Sequence, residues 1–195
     1  MSGRCARAIW AIAAFFFVIG GVSIGEETEW KFECVDGESH ELFAEGEAAK
    51  VTVLIFTATD CPVANYFQPT IRRLHEAFAE KGVVFFQVYP DRDTDQESAK
   101  DHAKDYEITT TQVLDPSQSL AKRAGATKTP EAVVFNADGK AVYRGRIDDT
   151  YADLGKKRPK PKSHDLNDAI KVALSGKSSE LVETEAVGCF IYFED

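Results

Sequence analysis

One cysteine stands at the junction of an apolar run and an amphipathic run, and it is the residue best placed for chemistry. The run from Val51 to Phe56 is apolar and rich in β-branched side chains, and Cys61-Pro62 follows it at the start of a segment with helical periodicity. At a helix N-terminus, unpaired backbone N–H groups and the helix dipole stabilise a thiolate and lower the pKa of the cysteine. Cys61 is therefore a candidate nucleophile. The alternative is a small, buried apolar residue.

The N-terminal segment has the pattern of a secretory signal peptide. Arg4 and Arg7 precede an apolar stretch from Ala8 to Ile19, and small residues follow. We predict that residues 1–25 are a signal peptide and that residues 26–195 form one exported domain, periplasmic or extracellular, with no membrane attachment after cleavage. An uncleaved anchor is the alternative, although the apolar stretch and the small residues that follow it, about 17 residues together, are at the short end of what spans a bilayer.

The composition excludes several classes of function. The 195 residues are 44% hydrophobic and 28% charged, which is typical of a globular domain. Removing the signal takes away two basic residues and no acidic residue, so the formal net charge falls from −9 to −11, which argues against a nucleic-acid partner. Residues 26–195 contain no G-x-S-x-G, Walker A or H-E-x-x-H motif and no closely spaced pair of cysteines, so we expect neither a metal nor another cofactor.

Three cysteines remain after cleavage: Cys34, Cys61 and Cys189. In an oxidising compartment this odd number allows one disulfide and one free thiol, or three thiols, and the spacing does not choose between them. Cys34 shares one face of a predicted strand with Phe32, which favours a position in the core. Cys189 lies in an apolar tail, residues 184–193, which we expect to pack back on the domain.

The rest of the chain alternates between strands and helices. Residues 30–42 predict a hairpin that turns at Asp36-Gly37, and residues 51–56 and 83–89 predict buried strands, the first of them central. A tight turn after Phe135 joins two antiparallel strands, so the sheet should be mixed. Helix starts are predicted at Cys61-Pro62, at a capping box of Thr94 and Glu97, at Asp115-Pro116 and at Ser163, and Pro69 should kink the first helix.

The order of these features resembles the thioredoxin superfamily over residues 32–193. The matching segments are Cys61-Pro62-Val63-Ala64 at the reactive turn, Pro69, Thr129-Pro130-Glu131 before the antiparallel hairpin, Tyr143 to Asp149 after it, and Glu185 to Cys189 in the tail. More closely, the chain resembles secreted redoxin-domain proteins, relatives of the thiol-specific-antioxidant peroxiredoxins and of thiol–disulfide oxidoreductases. The resemblance implies an α/β, thioredoxin-like fold: a mixed central sheet flanked by helices, with an N-terminal β-hairpin.

The resemblance also implies roles for individual residues. Pro130 would follow a cis peptide bond and shape a groove beside Cys61, in which the backbone of Thr129 pairs with an extended substrate. Arg146 or Arg144 would supply a guanidinium beside the thiolate, and we count Arg146 among the substrate-binding residues.

Two positions depart from the family patterns. Thioredoxin-like oxidoreductases carry a second cysteine three residues after the first, where this chain has Ala64, so a mixed disulfide on Cys61 cannot be resolved within the turn. Peroxiredoxins carry a threonine three residues before the reactive cysteine, where this chain has Ala58. The first candidate for a resolving thiol is therefore Cys189.

Three functions follow from the resemblance. The first is a secreted thiol–disulfide oxidoreductase, in which Cys61 attacks a partner disulfide and Cys189 or an outside thiol resolves the intermediate. The second is a thiol peroxidase, in which a peroxide oxidises Cys61 to a sulfenic acid. The third is a non-catalytic binding module with a permanent Cys61–Cys189 disulfide. An electron-transfer protein is one class of partner to consider.

Overall fold

The computed structural model describes residues 30–41, 49–177 and 180–193. The predicted signal peptide over residues 1–25 lies outside the described residues. Within the described ranges, no helix is long and apolar enough to cross a membrane.

Strands and helices alternate along the chain, as predicted. The strands are β1 (Lys31–Cys34), β2 (Ser39–Glu41), β3 (Val51–Phe56), β4 (Val83–Tyr89), β5 (Thr111–Leu114), β6 (Lys128–Thr129), β7 (Glu131–Asn136), β8 (Ala141–Gly145), β9 (Tyr151–Asp153), β10 (Lys156–Lys157), β11 (Val182–Glu183) and β12 (Cys189–Phe190). The helices are α1 (Pro62–Phe78), α2 (Gln96–Tyr106), α3 (Ser119–Ala124) and α4 (Asp165–Leu174), and a 3₁₀ turn (Ala79–Lys81) continues α1. Helix α1 runs through Pro69 without a break, and its predicted kink stays a prediction.

A mixed sheet of eight strands forms the centre of the described domain, in the order β11-β8-β7-β3-β4-β5-β1-β2. Strand β3 runs parallel to β4 and antiparallel to β7, and β4 runs parallel to β5. Strands β1 and β2 form the N-terminal hairpin, which joins the sheet through antiparallel pairing of β1 with β5. The predictions of a mixed sheet, a central β3 and an N-terminal hairpin are confirmed.

Helices cover both faces of the sheet, which explains the nearly continuous apolar sequence of β3. All its residues are buried, and they alternate between two cores. Val53 and Ile55 face the core that contains residues of α1 and α4, whereas Leu54 and Phe56 face the core that contains residues of α3. Cys34 is 2% exposed in the second core, so its predicted core position is confirmed.

The capping box of α2 lies one residue later than predicted. It is formed by Asp95 and Ser98 instead of Thr94 and Glu97. The Asp95 carboxylate accepts the Ser98 N–H at 2.9 Å, and the Ser98 hydroxyl oxygen accepts the Asp95 N–H at 3.0 Å. A serine in the third helical position thus supplies the return bond expected from a glutamate.

The starts of α3 and α4 also differ from prediction. Asp115 lies before the first turn of α3, yet its carboxylate accepts the N–H groups of Leu120 (3.2 Å) and Ala121 (2.9 Å), so it caps the helix from a greater distance along the chain. Ser163 is not the cap of α4, because its hydroxyl donates to the carboxylate of Asp165 at 2.6 Å.

The C-terminal tail packs back on the domain, as predicted. Strand β12 pairs antiparallel with β6 in a two-stranded sheet of its own. Ile191 is 9% exposed within the core on the α3 side, and its N–H donates to the carbonyl of Thr127 at 2.9 Å. The next residue, Tyr192, is 82% exposed. Ile191 is therefore an apolar anchor for the tail.

Replacing Ile191 by alanine should lower the free energy of unfolding by about 2 kcal/mol, because a buried aliphatic side chain is removed from a packed core. Urea unfolding measures this loss. Tyr192→Ala is the matched control, since its exposed ring should change stability by no more than about 0.5 kcal/mol. Equal effects of the two substitutions would contradict the anchoring role of Ile191.

Candidate active site

Cys61 lies where the sequence predicts, between the end of β3 and the first turn of α1. It is the N-cap residue of the helix, with an extended backbone (φ −80°, ψ 110°), and its carbonyl accepts the N–H of Asn65 at 3.0 Å. Pro62 occupies the first helical position, where no N–H is needed. The Cys61 side chain is fully buried, with 0% of its surface exposed. It thus combines the helix-terminal position of a reactive thiol with the shielding of a core residue.

The loop that precedes β7 lies directly against Cys61. The Thr129–Pro130 peptide bond is cis, as the resemblance implied. Antiparallel pairing places Glu131 opposite Phe56, so the sheet register brings this loop to the end of β3 where Cys61 follows. The Cys61 thiol donates to the Thr129 carbonyl at an Sγ–O distance of 3.0 Å. Thr129 and Pro130 therefore lie at the candidate nucleophile, where they were predicted.

The tail brings Cys189 to the same place. In the pairing of β12 with β6, Cys189 lies opposite Thr129 and Phe190 lies opposite Lys128. The thiol and the backbone N–H of Cys189 lie close enough to the Cys61 sulfur to act as donors to its thiolate, which lowers the pKa of Cys61. Lys128 adds a further contact, because its Nζ donates to the carbonyl of Ala186 at 2.8 Å. The described cysteines are all free thiols in this structure.

Gly188 allows this close approach of the tail to the loop. A Cβ at this position would overlap the carbonyl group of Thr129 and also meet Pro130. The requirement for glycine here comes from the short distance between two backbones. Sequence reasoning noted Gly188 only as part of the tail motif, because the neighbour that excludes a side chain belongs to a distant segment.

Burial and hydrogen bonding act in opposite directions on the pKa of Cys61. Burial raises it, because desolvation disfavours the thiolate, whereas hydrogen bonds from Cys189, from the N–H of Ala64 and from the Thr129 side chain lower it. The net result is a pKa below the usual value for cysteine. The hydrogen bond to the Thr129 carbonyl can form only while Cys61 is protonated, because a thiolate has no proton to donate. Cys61 is therefore a shielded thiol with a lowered pKa.

The other two thiols are held protonated. Desolvation by the protein atoms around its sulfur, the hydrogen bond to Cys61 and the negative charges of Cys61 and Asp60 raise the pKa of Cys189 to about 12, although the residue as a whole is exposed. Burial and the charges of Asp36 and Glu38 likewise raise the pKa of Cys34 to about 12. Within the pair at the site, Cys61 therefore forms the thiolate and Cys189 keeps its proton.

A chain of hydrogen bonds supports the turn before Cys61. The Asn65 amide donates to the Thr59 carbonyl (2.9 Å), and its oxygen bonds to His102 Nε2 (2.8 Å). His102 Nδ1 bonds to the hydroxyl of Tyr89 (2.9 Å), which accepts from the amide of Gln112 (2.6 Å). Burial lowers the pKa of His102, which favours the neutral ring. The Asn65 oxygen can only accept, so the ring proton lies on Nε2. This network links the reactive turn to β4, β5 and α2.

Asn65 is not among the site residues predicted from the sequence. Its position four residues after Cys61 puts it one helical turn further along the same face of α1, and that spacing is the signal that could have identified it. The link to His102 depends on the packing of α2 beside α1, which the local sequence does not specify.

Arg146 lies in a different environment from the one the resemblance suggested. Its Nε donates to the Asp165 carboxylate at 2.9 Å, and among the described contacts none of its hydrogen bonds reaches Cys61. Arg144 pairs with Glu183. A guanidinium is thus not among the groups that stabilise the thiolate. Arg146 does line a cavity of about 480 Å³ beside the tail, together with Gly188, and its role in substrate binding stays a prediction.

The chain matches a family profile described as Redoxin over residues 28–156. No curated protein sequence matches it significantly. Two solved structures align with 85% of this chain at a TM-score of 0.72: a hypothetical protein from Sinorhizobium meliloti, 22% identical and 91% covered, and an uncharacterised conserved protein from Geobacillus kaustophilus, 24% identical and 89% covered. A secreted disulfide oxidoreductase from Mycobacterium tuberculosis is 16% identical, with a TM-score of 0.51 over 75% of this chain and 94% of that one.

At these identities the structural likeness concerns the fold, which is the thioredoxin-like fold of thiol–disulfide oxidoreductases. The family match covers most of the described domain, including both β3 with Cys61 and the cis-proline loop. This chain belongs to the Redoxin family.

Proposed function

We propose that this protein is an exported thiol–disulfide oxidoreductase in which Cys61 is the nucleophile and Cys189 is the resolving thiol. The observation that carries the proposal is the pairing of β12 with β6, which sets the thiol of Cys189 against the sulfur of Cys61. The lowered pKa of Cys61 supports its role as the attacking group. The basic and apolar N-terminal segment, residues 1–25, supports export.

In the first step the Cys61 thiolate attacks one sulfur of a partner disulfide. The partner's S–S bond breaks, a bond forms between Cys61 and that sulfur, and the second partner sulfur leaves as a thiolate. Cys61 is buried beneath β12, so a partner protein reaches it only after β12 separates from β6. The same separation frees the backbone of Thr129 for pairing with an extended partner segment.

In the second step the tail returns and Cys189 attacks the sulfur of Cys61. The mixed disulfide breaks, the partner leaves with its second thiolate, and the protein holds a Cys61–Cys189 disulfide. Cys61 carries no charge in the mixed disulfide, so the charge that helps to raise the pKa of Cys189 is absent when Cys189 must lose its proton. The partner gains two electrons and the protein loses two.

Oxidation of the purified protein should produce a Cys61–Cys189 disulfide and leave Cys34 as a thiol, because only the first two sulfurs lie together. Peptide mass mapping of the oxidised protein measures the linkage. A disulfide that includes Cys34, or no disulfide at all, would contradict the proposed mechanism.

Two further measurements separate the proposed function from its alternatives. Stopped-flow reaction of Cys61 with hydrogen peroxide should be no faster than that of free cysteine, since Ala58 replaces the threonine of peroxidases. A much faster reaction would favour a peroxidase.

A disulfide that resists mild dithiothreitol, together with a Cys61→Ser variant that loses stability but no redox activity, would favour a non-catalytic module.

Replacing Cys189 by alanine should raise the pKa of Cys61, because the substitution removes the thiol that donates to the thiolate. The measurement is the rate of alkylation of Cys61 at a series of pH values, followed peptide by peptide. The rate rises as pH passes through the pKa, so the midpoint should move to higher pH in the variant. Cys34, with a pKa of about 12, should stay unreactive through neutral pH in both proteins and serves as internal control.

Replacing Asn65 by alanine should lower the free energy of unfolding by about 1–3 kcal/mol and slow disulfide exchange, because it leaves His102 Nε2 and the Thr59 carbonyl without their partners. Asn167→Ala is the control, since the amide of Asn167 bonds to its neighbour Asp168 on α4. Urea unfolding and single-turnover reaction with a peptide disulfide measure the two effects. Unchanged exchange in Asn65→Ala would show that the network supports stability alone.

A further inference from the structure

The two thiols of the site differ sharply in their access to solvent. Cys61 has no exposed surface, whereas Cys189 is exposed. Cys189 lines a cleft of about 490 Å³, and Cys61 is not part of its lining. A molecule that enters this cleft therefore contacts Cys189, whereas Cys61 is out of its reach.

The tail itself causes this asymmetry. Strand β12 occupies the edge of β6 at Thr129, and the contact at Gly188 leaves no space between the two backbones. Ile191, the residue directly after β12, is itself buried in the core on the α3 side. The tail thus lies where an extended partner segment would pair, and it presents its own cysteine to Cys61. The tail therefore occupies the position of a bound substrate segment, although it belongs to the same chain.

The chemistry of the pair favours the same direction of attack. In thiol–disulfide exchange the sulfur that is not attacked leaves as a thiolate, and a leaving group of lower pKa leaves faster. Burial opposes ionisation of Cys61, but the N–H groups of Ala64 and Cys189 and the side chain of Thr129 lower its pKa, and these donors remain when Cys189 is in a disulfide. Desolvation and the charge of Asp60 still raise the pKa of Cys189 when Cys61 is in a disulfide. Attack on Cys189 therefore expels the better leaving group into a site already built to stabilise it.

We propose that an external thiol reduces the oxidised protein by attacking Cys189 through this cleft, while β12 stays paired with β6. The thiolate bonds to the sulfur of Cys189, the Cys61–Cys189 bond breaks, and Cys61 leaves as a thiolate. A second molecule of the same thiol then attacks the mixed disulfide, forms a disulfide with the first and releases Cys189. Two electrons pass from two external thiols to the protein. This inference rests on the proposed formation of a Cys61–Cys189 disulfide.

The charge of the cleft indicates which thiols it accepts. Asp60, Asp91, Asp93 and Arg92 are among its lining residues, so the charged groups there carry a net negative charge. A thiol flanked by cationic groups enters such a cleft more readily than one flanked by carboxylates. The expected donor is therefore a thiol with a positively charged neighbourhood, either a small molecule or a cysteine of a basic protein segment.

Rapid mixing of the oxidised protein with cysteamine, followed by acid quench and peptide mass mapping, tests the point of attack. We expect the earliest mixed disulfide to form on Cys189. The amount of mixed disulfide on Cys189 should exceed that on Cys61 by at least about tenfold, because Cys189 is more accessible and its attack expels the better leaving group. A mixed disulfide that appears first on Cys61 would overturn the inference and leave the proposed function intact. Failure to form the Cys61–Cys189 disulfide beforehand would overturn both.

The charge of the donor supplies a second readout. At low ionic strength, the rate constant per thiolate should be on the order of tenfold larger for cysteamine than for 3-mercaptopropionate. Added salt should reduce this preference, because it screens the charges of the cleft. Asp93→Asn should weaken the preference, whereas Asp101→Asn, outside the cleft lining, should keep it. Equal rates for the two thiols, or equal effects of the two substitutions, would overturn the assignment of a cationic donor.

Discussion

The antiparallel pairing of β12 with β6 is the interaction on which the candidate site depends. The sheet alone places Cys61 at the end of β3 and, through the register of β3 with β7, places Thr129 beside it. That arrangement contains a single thiol. The second thiol arrives only because Cys189 lies opposite Thr129 in the pairing of the tail. A strand of two residues thus decides whether the site holds one sulfur or two.

The same pairing controls the ionisation of Cys61. The tail buries the sulfur, which opposes the thiolate, and it also supplies the thiol and N–H of Cys189, which favour the thiolate. When the tail separates, both contributions disappear together, because water replaces the lost donors and ends the desolvation. The position of the tail therefore has a strong effect on access to Cys61. Its effect on the pKa is smaller, because separation removes both the desolvation that raises the pKa and the donors that lower it.

The sequence predicts those parts of the structure that depend on interactions between residues close together in the chain. The apolar run of β3, the Cys61-Pro62 helix start and the hairpin at Asp36-Gly37 each carry a strong pattern, and each forms as expected. The short strands β6 and β12 carry no periodic pattern, since two residues cannot display one. The apolarity of the tail predicts that it packs on the domain, but the choice of Thr129 as its partner depends on tertiary packing. The bond between Asn65 and His102 joins two helices and is hidden from sequence for the same reason.

The residue at position 64 distinguishes this site from that of thioredoxin-like oxidoreductases. In the in-turn arrangement of thioredoxin-like oxidoreductases, the second cysteine would stand at this position and a disulfide would close within the first turn of the helix. Here the position supplies only its N–H, which helps to lower the pKa of Cys61, and the second sulfur comes from the tail. A Cys61–Cys189 bond must therefore tie α1 to β12 and hold β12 on β6. Thermodynamic linkage makes the relation reciprocal: whatever stabilises the pairing of the tail favours the disulfide, and the disulfide stabilises the pairing by the same free energy.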